Sequence, residues 1–531
     1  MKRRDLLTKI AGVGAGIFVL NKLEANPHNE LKRQTNKVFY ASQSGAKLDS
    51  NVLTGGGTDD TEVLQQILDM AKEQGGLQLV MDGAALIRGL NIHSNTTIEC
   101  LNSSCGFFLK PGSDRSLLIN ANPAMSGERR DKNIYLIGGT YNHNAPGQKK
   151  TGDKTNSRLP NMIVGLSFFG VENLVMRDVT ISNQRTFAMA LANWFRVSME
   201  NIFIDLPVFA PTENPPGRNQ DGLHFFGPGQ FLSLKNIRGR SGDDFIALTP
   251  DELDGVSGIT DVIIDGVNIN DAAQCIRMLS RDQGRLDRIL VKNITGTYKS
   301  FGFFINPHRP GKTGNFGNIV FDTIDLRQTE RNYFYTPPFL FRLNGTIESI
   351  TFRNIFHHQP SDKRPVLEIG WPAAGTTGFD LVEDKHQRNK TVNIKSVTID
   401  GLHIYENEKH SADASYIRIL GKVDNMIVRN VEIVREPEVP QQGCLIETNE
   451  DAGIKNLFLN NIFVQRMKSL LLLKKGEINT LRIHNVMASE IDEAILSIEE
   501  GKVRHLSADS VHGAVLGDEN ASGKIFSIEK Q

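Results

Sequence analysis

Three aspartates carry the chemistry that this sequence suggests. Asp221 stands in Asn219-Gln220-Asp221-Gly222, and Asp243 and Asp244 stand side by side in Gly242-Asp243-Asp244-Phe245. Carboxylates packed together repel one another, and at least one of them titrates late. Cleavage of a glycosidic bond needs such a set: a protonated acid for the leaving oxygen and a carboxylate base for water. Structural uses stay open beside this one. Asp221 could cap a turn ahead of Gly222, and Asp243-Asp244 could bind structural Ca²⁺. The hydrolytic reading calls for no cofactor and no catalytic metal.

The elements that position these residues are read from a repeat. A short phrase recurs a dozen times: alternating aliphatics, then Asn, Asp or Gly, then a β-branched residue or Leu. It begins with Val175-Met176-Arg177-Asp178-Val179 and Val197-Ser198-Met199-Glu200-Asn201-Ile202. It continues through Leu234-Lys235-Asn236-Ile237 and Val428-Arg429-Asn430-Val431 to Ala508-Asp509-Ser510-Val511. The period is roughly 23–35 residues, with a longer gap near Trp371 to Lys395. Each copy reads as a short strand, and no amphipathic helices lie between copies. This predicts an all-β fold: a single-stranded, right-handed parallel β-helix whose coils stack about 4.8 Å apart. Asn at the fixed turn position suits left-handed backbone geometry.

Aligning the inward aliphatics puts the coils in register. The pairs are Met189/Leu191, Leu223/Phe225, Ile246/Leu248, Ile276/Met278, Phe303/Ile305, Phe341/Leu343 and Leu367/Ile369. Alternation sends the residue between each pair outward. That column reads Ala190, His224, Ala247, Arg277, Phe304, Arg342 and Glu368, and its charges predict an exposed face. The same register sets Asp221 level with Asp244. Strict alternation would turn one of Asp243 and Asp244 inward. A kink at the start of the strand, helped by Gly222 and Gly242, is the expected way to turn both outward.

The first coil needs a cover, because an open sheet edge is a template for aggregation. Gly57-Thr58-Asp59-Asp60-Thr61, followed by Val63, Leu64, Ile67, Leu68 and Ala71, predicts a capping helix started by Thr58 or Asp59. The capping region spans about 40–100.

The layout of Asn219-Gln220-Asp221-Gly222 followed one coil later by Gly242-Asp243-Asp244-Phe245-Ile246-Ala247-Leu248 resembles glycoside hydrolase family 28, the polygalacturonase group. Gly57-Thr58-Asp59-Asp60-Thr61 and Gly138-Gly139-Thr140 are similar too. The motifs fall within roughly residues 50 to 300; beyond that the resemblance is the repeat itself. It implies hydrolysis with inversion, Asp243 as the general acid, and Asp221 and Asp244 holding and activating the water. Two departures bear on the substrate. The family's Gly-His-Gly is replaced by Gln274-Cys275-Ile276-Arg277, and its Arg-x-Lys by Phe303-Phe304-Ile305-Asn306. Ordinary polygalacturonase activity is therefore not expected. Other β-helix glycosidases, including the α-1,3-galactosidase type, resemble this carboxylate layout.

The expected substrate-binding residues are Asn219, His224, Arg277, His308, Arg309, Arg342 and Glu368. Arginine pairs well with carboxylate or sulfate groups, so the expected partner is a polysaccharide or oligosaccharide that is at least partly anionic. Residues 142–160 are long for a turn and read as a wall or lid of the cleft. Competing readings are a polysaccharide lyase using His224 or Arg277 as base, and a non-catalytic glycan-binding solenoid.

The chain has 531 residues, 60 basic against 61 acidic side chains, 39% hydrophobic and 23% charged residues. This excludes disordered, collagenous and multi-span membrane classes, and the charge balance argues against nucleic acid as partner. Lys2-Arg3-Arg4-Asp5-Leu6-Leu7 and the apolar run from Ile10 to Leu20 look like a twin-arginine export signal over residues 1–25. A single β-helix domain is expected over 26–531, periplasmic or secreted, with no lasting membrane insertion. Cys100 and Cys105 are near enough in sequence to pair; Cys275 and Cys444 are expected to pack as small apolar residues.

Overall fold

The computed structural model describes residues 37–148, 163–207, 219–307, 313–329, 339–358, 365–370, 392–407, 415–449, 452–512 and 525–530. The export signal and most of the 142–160 loop, along with His308, Arg309 and Trp371, lie outside the described residues. All described strands join one sheet, and away from the two ends each pairs in parallel with the strand one coil before and one coil after it. This is a right-handed parallel β-helix. The handedness is the one that crossovers between parallel strands take with L-residues.

Three faces wind around one core. Short strands such as Ala84–Ile87 and Gly106–Leu109 form the second face in the early coils. Later the faces merge through corners into long bent strands such as Ile259–Leu279 and Leu286–Asn306. The bends are made by the repeat. All twelve turn residues of the recurring phrase have positive φ, from 49° at Asn354 to 91° at Gly401. Asparagine tolerates this backbone and ties one coil to the next. Asn201 Nδ2 donates to Asp178 Oδ1 at 2.9 Å, Asn236 Nδ2 to Asn201 Oδ1 at 3.1 Å, and Asn461 Nδ2 to Asn430 Oδ1 at 2.6 Å. Gly266 fills the column where a Cβ would come within 3.0 Å of Asn236 Oδ1.

Inward side chains stack along the bore. Phe303 stacks on Phe341 at 4.8 Å and Phe321 on Phe352 at 5.6 Å, so successive coils contribute aromatic layers to one continuous core. The helix Thr61–Gln74 closes the first coil by burying Leu64, Ile67, Leu68 and Ala71 against it. It starts one residue later than expected, at Asp60. Asp60 accepts from the backbone of Lys47 and Leu48, at 2.7 and 2.9 Å, and so binds the loop beneath the helix. Asp59 takes over the first-turn contact, accepting Thr61 N–H at 3.1 Å. These two aspartates are structural. Gly75, at φ 74°, ends the helix. Ile525–Lys530 adds the last strand at the other end. All four cysteines are buried free thiols, so Cys100 and Cys105 are not paired. Among the described residues no helix is long and apolar enough to cross a membrane.

Candidate active site

The register follows the inward aliphatics. Met189 pairs with Leu223, Leu223 with Ile246, Ile246 with Ile276, Ile276 with Phe303, Phe303 with Phe341 and Phe341 with Leu367. The outward column lies between them as alternation requires. Its exposure differs from the expectation. His224, Arg277, Phe304, Arg342 and Glu368 are all buried, at 5% exposure or less. Pointing away from the bore did not leave them in solvent, because each is stacked on or paired with neighbours along and beside the column.

Asp221 precedes the strand Leu223–Phe226, and Asp244 opens the strand Asp244–Thr249. Gly222 N–H donates to Asp244 O at 2.8 Å, which locks the two carboxylate-bearing segments together. Asp243 lies in the turn just before its strand, where period-two alternation does not apply; this is how both aspartates leave the core. Gly222 does not supply a left-handed kink. It permits close stacking, since a Cβ there would sit 2.3 Å from Phe245 O. Asp243 accepts Asn219 N–H at 3.2 Å through Oδ2 and the Gln274 amide at 3.3 Å through Oδ1. Asp244 is the least buried of the three, and its buried Oδ1 accepts no hydrogen bond.

Burial dominates the electrostatics. It pushes Asp243 up to about 7, helped by the Asp221 charge and opposed by the Asn219 and Gln274 hydrogen bonds and by Arg277. Burial also raises Asp244 well above the carboxylate range, with Asp221 and Asp243 adding repulsion. Asp221 is raised by burial as well, while the His224 hydrogen bond and charge draw it down. Burial would lower His224, but its hydrogen bonds and charge interactions with Asp221 and Glu252 outweigh that and hold it at about 9. Three carboxyls this close do not all ionise near neutrality; the arrangement keeps protonated and ionised carboxyls side by side.

The expected binding residues divide. Asn219 is exposed, with left-handed φ of 58°. His224 donates from Nδ1 to Asp221 Oδ2 at 2.7 Å and reaches Thr249 Oγ1 from Nε2 at 3.0 Å. Its faces are covered by Phe187 and Phe226, with centroids at 4.5 and 4.2 Å. Arg277 Nη1 donates to Gln274 Oε1 at 3.1 Å, and its guanidinium lies 4.3 Å from the Phe304 ring centroid. Arg342 and Arg418 clasp Glu368 from the two adjoining coils, at 3.0 Å to Oε1 and 2.7 Å to Oε2. The Arg342 and Glu368 charges thus meet each other. His308 and Arg309 lie outside the described residues.

Several partners of the site leave little trace in the sequence. In the sequence Gln274 stands out only as part of the segment that replaces Gly-His-Gly; the strand pairing sets it in register with Asp244. Glu252, 3.6 Å from His224 Nε2, comes from the turn after the strand and is itself held by Arg281 at 3.3 Å. Nothing in a linear motif points to Phe187 as a cover for His224. Among the described residues no group of three or more His, Cys, Asp or Glu side chains could hold a metal ion.

No family model and no curated protein matches this chain. Solved structures do. A family 28 exopolygalacturonase of Yersinia enterocolitica is 14% identical, with a TM-score of 0.47 over 88% of this chain and 78% of its own. A tailspike mutant of E. coli bacteriophage HK620 in complex with a pentasaccharide is 12% identical, with a TM-score of 0.49 over 87% and 80%. The A-module of the Azotobacter vinelandii mannuronan C-5 epimerase AlgE6 is 9% identical, with a TM-score of 0.44 over 90% and 99%. The chain is similar to these proteins, and its assignment as a right-handed parallel β-helix stands on its own strand pairing.

Proposed function

We propose that the chain is a glycoside hydrolase acting on a polysaccharide or oligosaccharide with inversion. The supporting observation is the split among three adjacent carboxyls: Asp243 is held at about 7 while Asp221 is paired with the His224 imidazole. An acid and a base thus coexist in one site near neutral pH. In this reading Asp243 donates its proton to the glycosidic oxygen as the bond to the anomeric carbon breaks. A water held between Asp221 and Asp244 attacks that carbon from the opposite face, and Asp221 takes the water's proton. The buried Oδ1 of Asp244, which accepts no hydrogen bond, has an acceptor position to offer the water. Proton exchange with solvent resets both groups.

Elimination needs an accessible base, and His224 has both nitrogens engaged and both faces covered. Arg342 spends its charge on Glu368. The preference for an anionic glycan therefore leans on His308 and Arg309. Export by residues 1–25 would bring the enzyme to glycans outside the cytoplasm.

The test is a panel of neutral, uronic and sulfated glycans with reducing ends and ultraviolet absorbance recorded together. New reducing ends without absorbance, lost in Asp243→Asn, are expected. Absorbance rising with cleavage would replace hydrolysis by elimination, and full activity of Asp243→Asn would overturn the assignment of the acid. Proton NMR of the first-formed sugar tests inversion.

A further inference from the structure

Three similar carboxyls on two adjacent coils need something to make them different. Hydrolysis requires one to stay ionised while another stays protonated, and burial pushes all three the same way. The asymmetry lies in His224. Among the three aspartates its ring bonds only Asp221, three residues before it on the same segment, with Nδ1 to Oδ2 at 2.7 Å.

The ring has no freedom to serve another partner. Phe187 lies parallel to it within 7° and Phe226 within 26°, on centroids at 4.5 and 4.2 Å. Ala190 and Ala247, its register neighbours, are small enough to leave room for this stack. Thr249 Oγ1 lies 3.4 Å from Phe225 O, to which it donates its proton, so it accepts from His224 Nε2 at 3.0 Å. Both nitrogens then act as donors, which is the hydrogen-bond pattern of an imidazolium. The charged groups around the ring agree with this. Asp221 faces it from its own segment and Glu252 from the turn after Thr249, at 3.6 Å, while Asp244 acts on it from the next coil. Arg281 neutralises part of Glu252 from behind, at 3.3 Å. The flanking aromatic faces also favour a cation.

We infer that His224 is a positioning residue, a caged imidazolium that keeps Asp221 ionised and oriented as the base and makes no contact with substrate. This rests on the hydrolytic reading for its purpose, though not for its geometry.

The geometry is tested without substrate. The full chain is labelled with ¹⁵N-histidine, and its two-bond proton–nitrogen spectrum is recorded across pH for wild type, His224→Gln and Asp221→Asn. The signal missing from His224→Gln identifies the ring. An imidazolium pattern at pH 7 that persists into alkaline pH, and becomes neutral at pH 7 in Asp221→Asn, is expected. A neutral wild-type ring at pH 7, or one unaffected by Asp221→Asn, overturns the inference. The second arm uses the glycan found by the reducing-end panel. His224→Gln should move the acidic limb of the kcat/KM profile up by about 1–3 pH units, with KM little changed. A raised KM with unmoved limbs would instead mark His224 as a substrate contact and overturn the inference. Cleavage that raises ultraviolet absorbance, beside an intact imidazolium signal, would sink the hydrolytic assignment and leave the ion pair standing.

Discussion

Gln274 reaches across from the next coil and donates its amide to Asp243 Oδ1 at 3.3 Å, while its own carbonyl oxygen accepts Arg277 Nη1 at 3.1 Å. The guanidinium decides which end of the amide faces the carboxyl. Just ahead of Gln274 the strand slips register twice, between Ile269 and Ala272 and again before Gln274. Irregularities of this kind re-aim side chains next to sites.

Gln274→Leu should therefore act on Asp243. The lost hydrogen bond favours the charged form, so its removal raises the Asp243 pKa further. The alkaline limb of the kcat/KM profile should move up by roughly half to one pH unit. An unmoved limb in a folded variant would exclude Gln274 from control of the acid.

The pH dependence of wild type follows from the same group. Asp243 must be protonated to act, and its folded pKa is about 7, so kcat/KM should fall as pH rises past 7. Stability has the same sign. The folded pKa lies above the unfolded value, so the contribution is fully present at low pH, below the unfolded pKa, and is lost as pH rises through 7. Asp243→Asn removes this dependence. The variant should melt higher than wild type at pH 8 by a few degrees and gain little at pH 4; an equal shift at both would contradict the raised pKa.

Glu368 carries a structural prediction. It is fully buried between Arg342 and Arg418. Removing the central charge of a buried ion group leaves its partners uncompensated, so Glu368→Gln should cost about 3–5 kcal/mol in chemical denaturation. A loss well under this would mean that water reaches the pair.

The asparagine column predicts a graded pair of variants. Asn430, at φ 56°, donates to Asp400 and accepts from Asn461, both at 2.6 Å. Asn430→Ala should lose about 1–2 kcal/mol, from the hydrogen bonds and from the left-handed backbone. Asn430→Gly keeps the backbone and should lose less. Equal losses would assign the whole effect to the side chain.

Much of the fold was legible because its causes are local and repeat. Asn201, Asn236, Asn293 and their fellows take left-handed φ because a short polar side chain tolerates it, wherever the coil sits. Leu223 pairs with Ile246, and Ile246 with Ile276, because period-two burial allows one register only. The placement of Asp221 level with Asp244 follows from that register. Asp243 escaped simple alternation because it stands in the turn before its strand.

The sequence by itself determined the coil, its register and the meeting of three carboxyls. It did not determine the state of the charges around them. Alternation alone predicts exposed side chains at His224, Arg342 and Glu368, because their positions point away from the bore. Only the tertiary structure brings Phe187 and Glu252 onto His224, and sets Arg418 from 50 residues away against Glu368. Register depends on near-neighbour burial, which repeats along the chain. The state of a charge depends on which partner and how much water reach it, and those are decided by segments distant in sequence that pack over the coil.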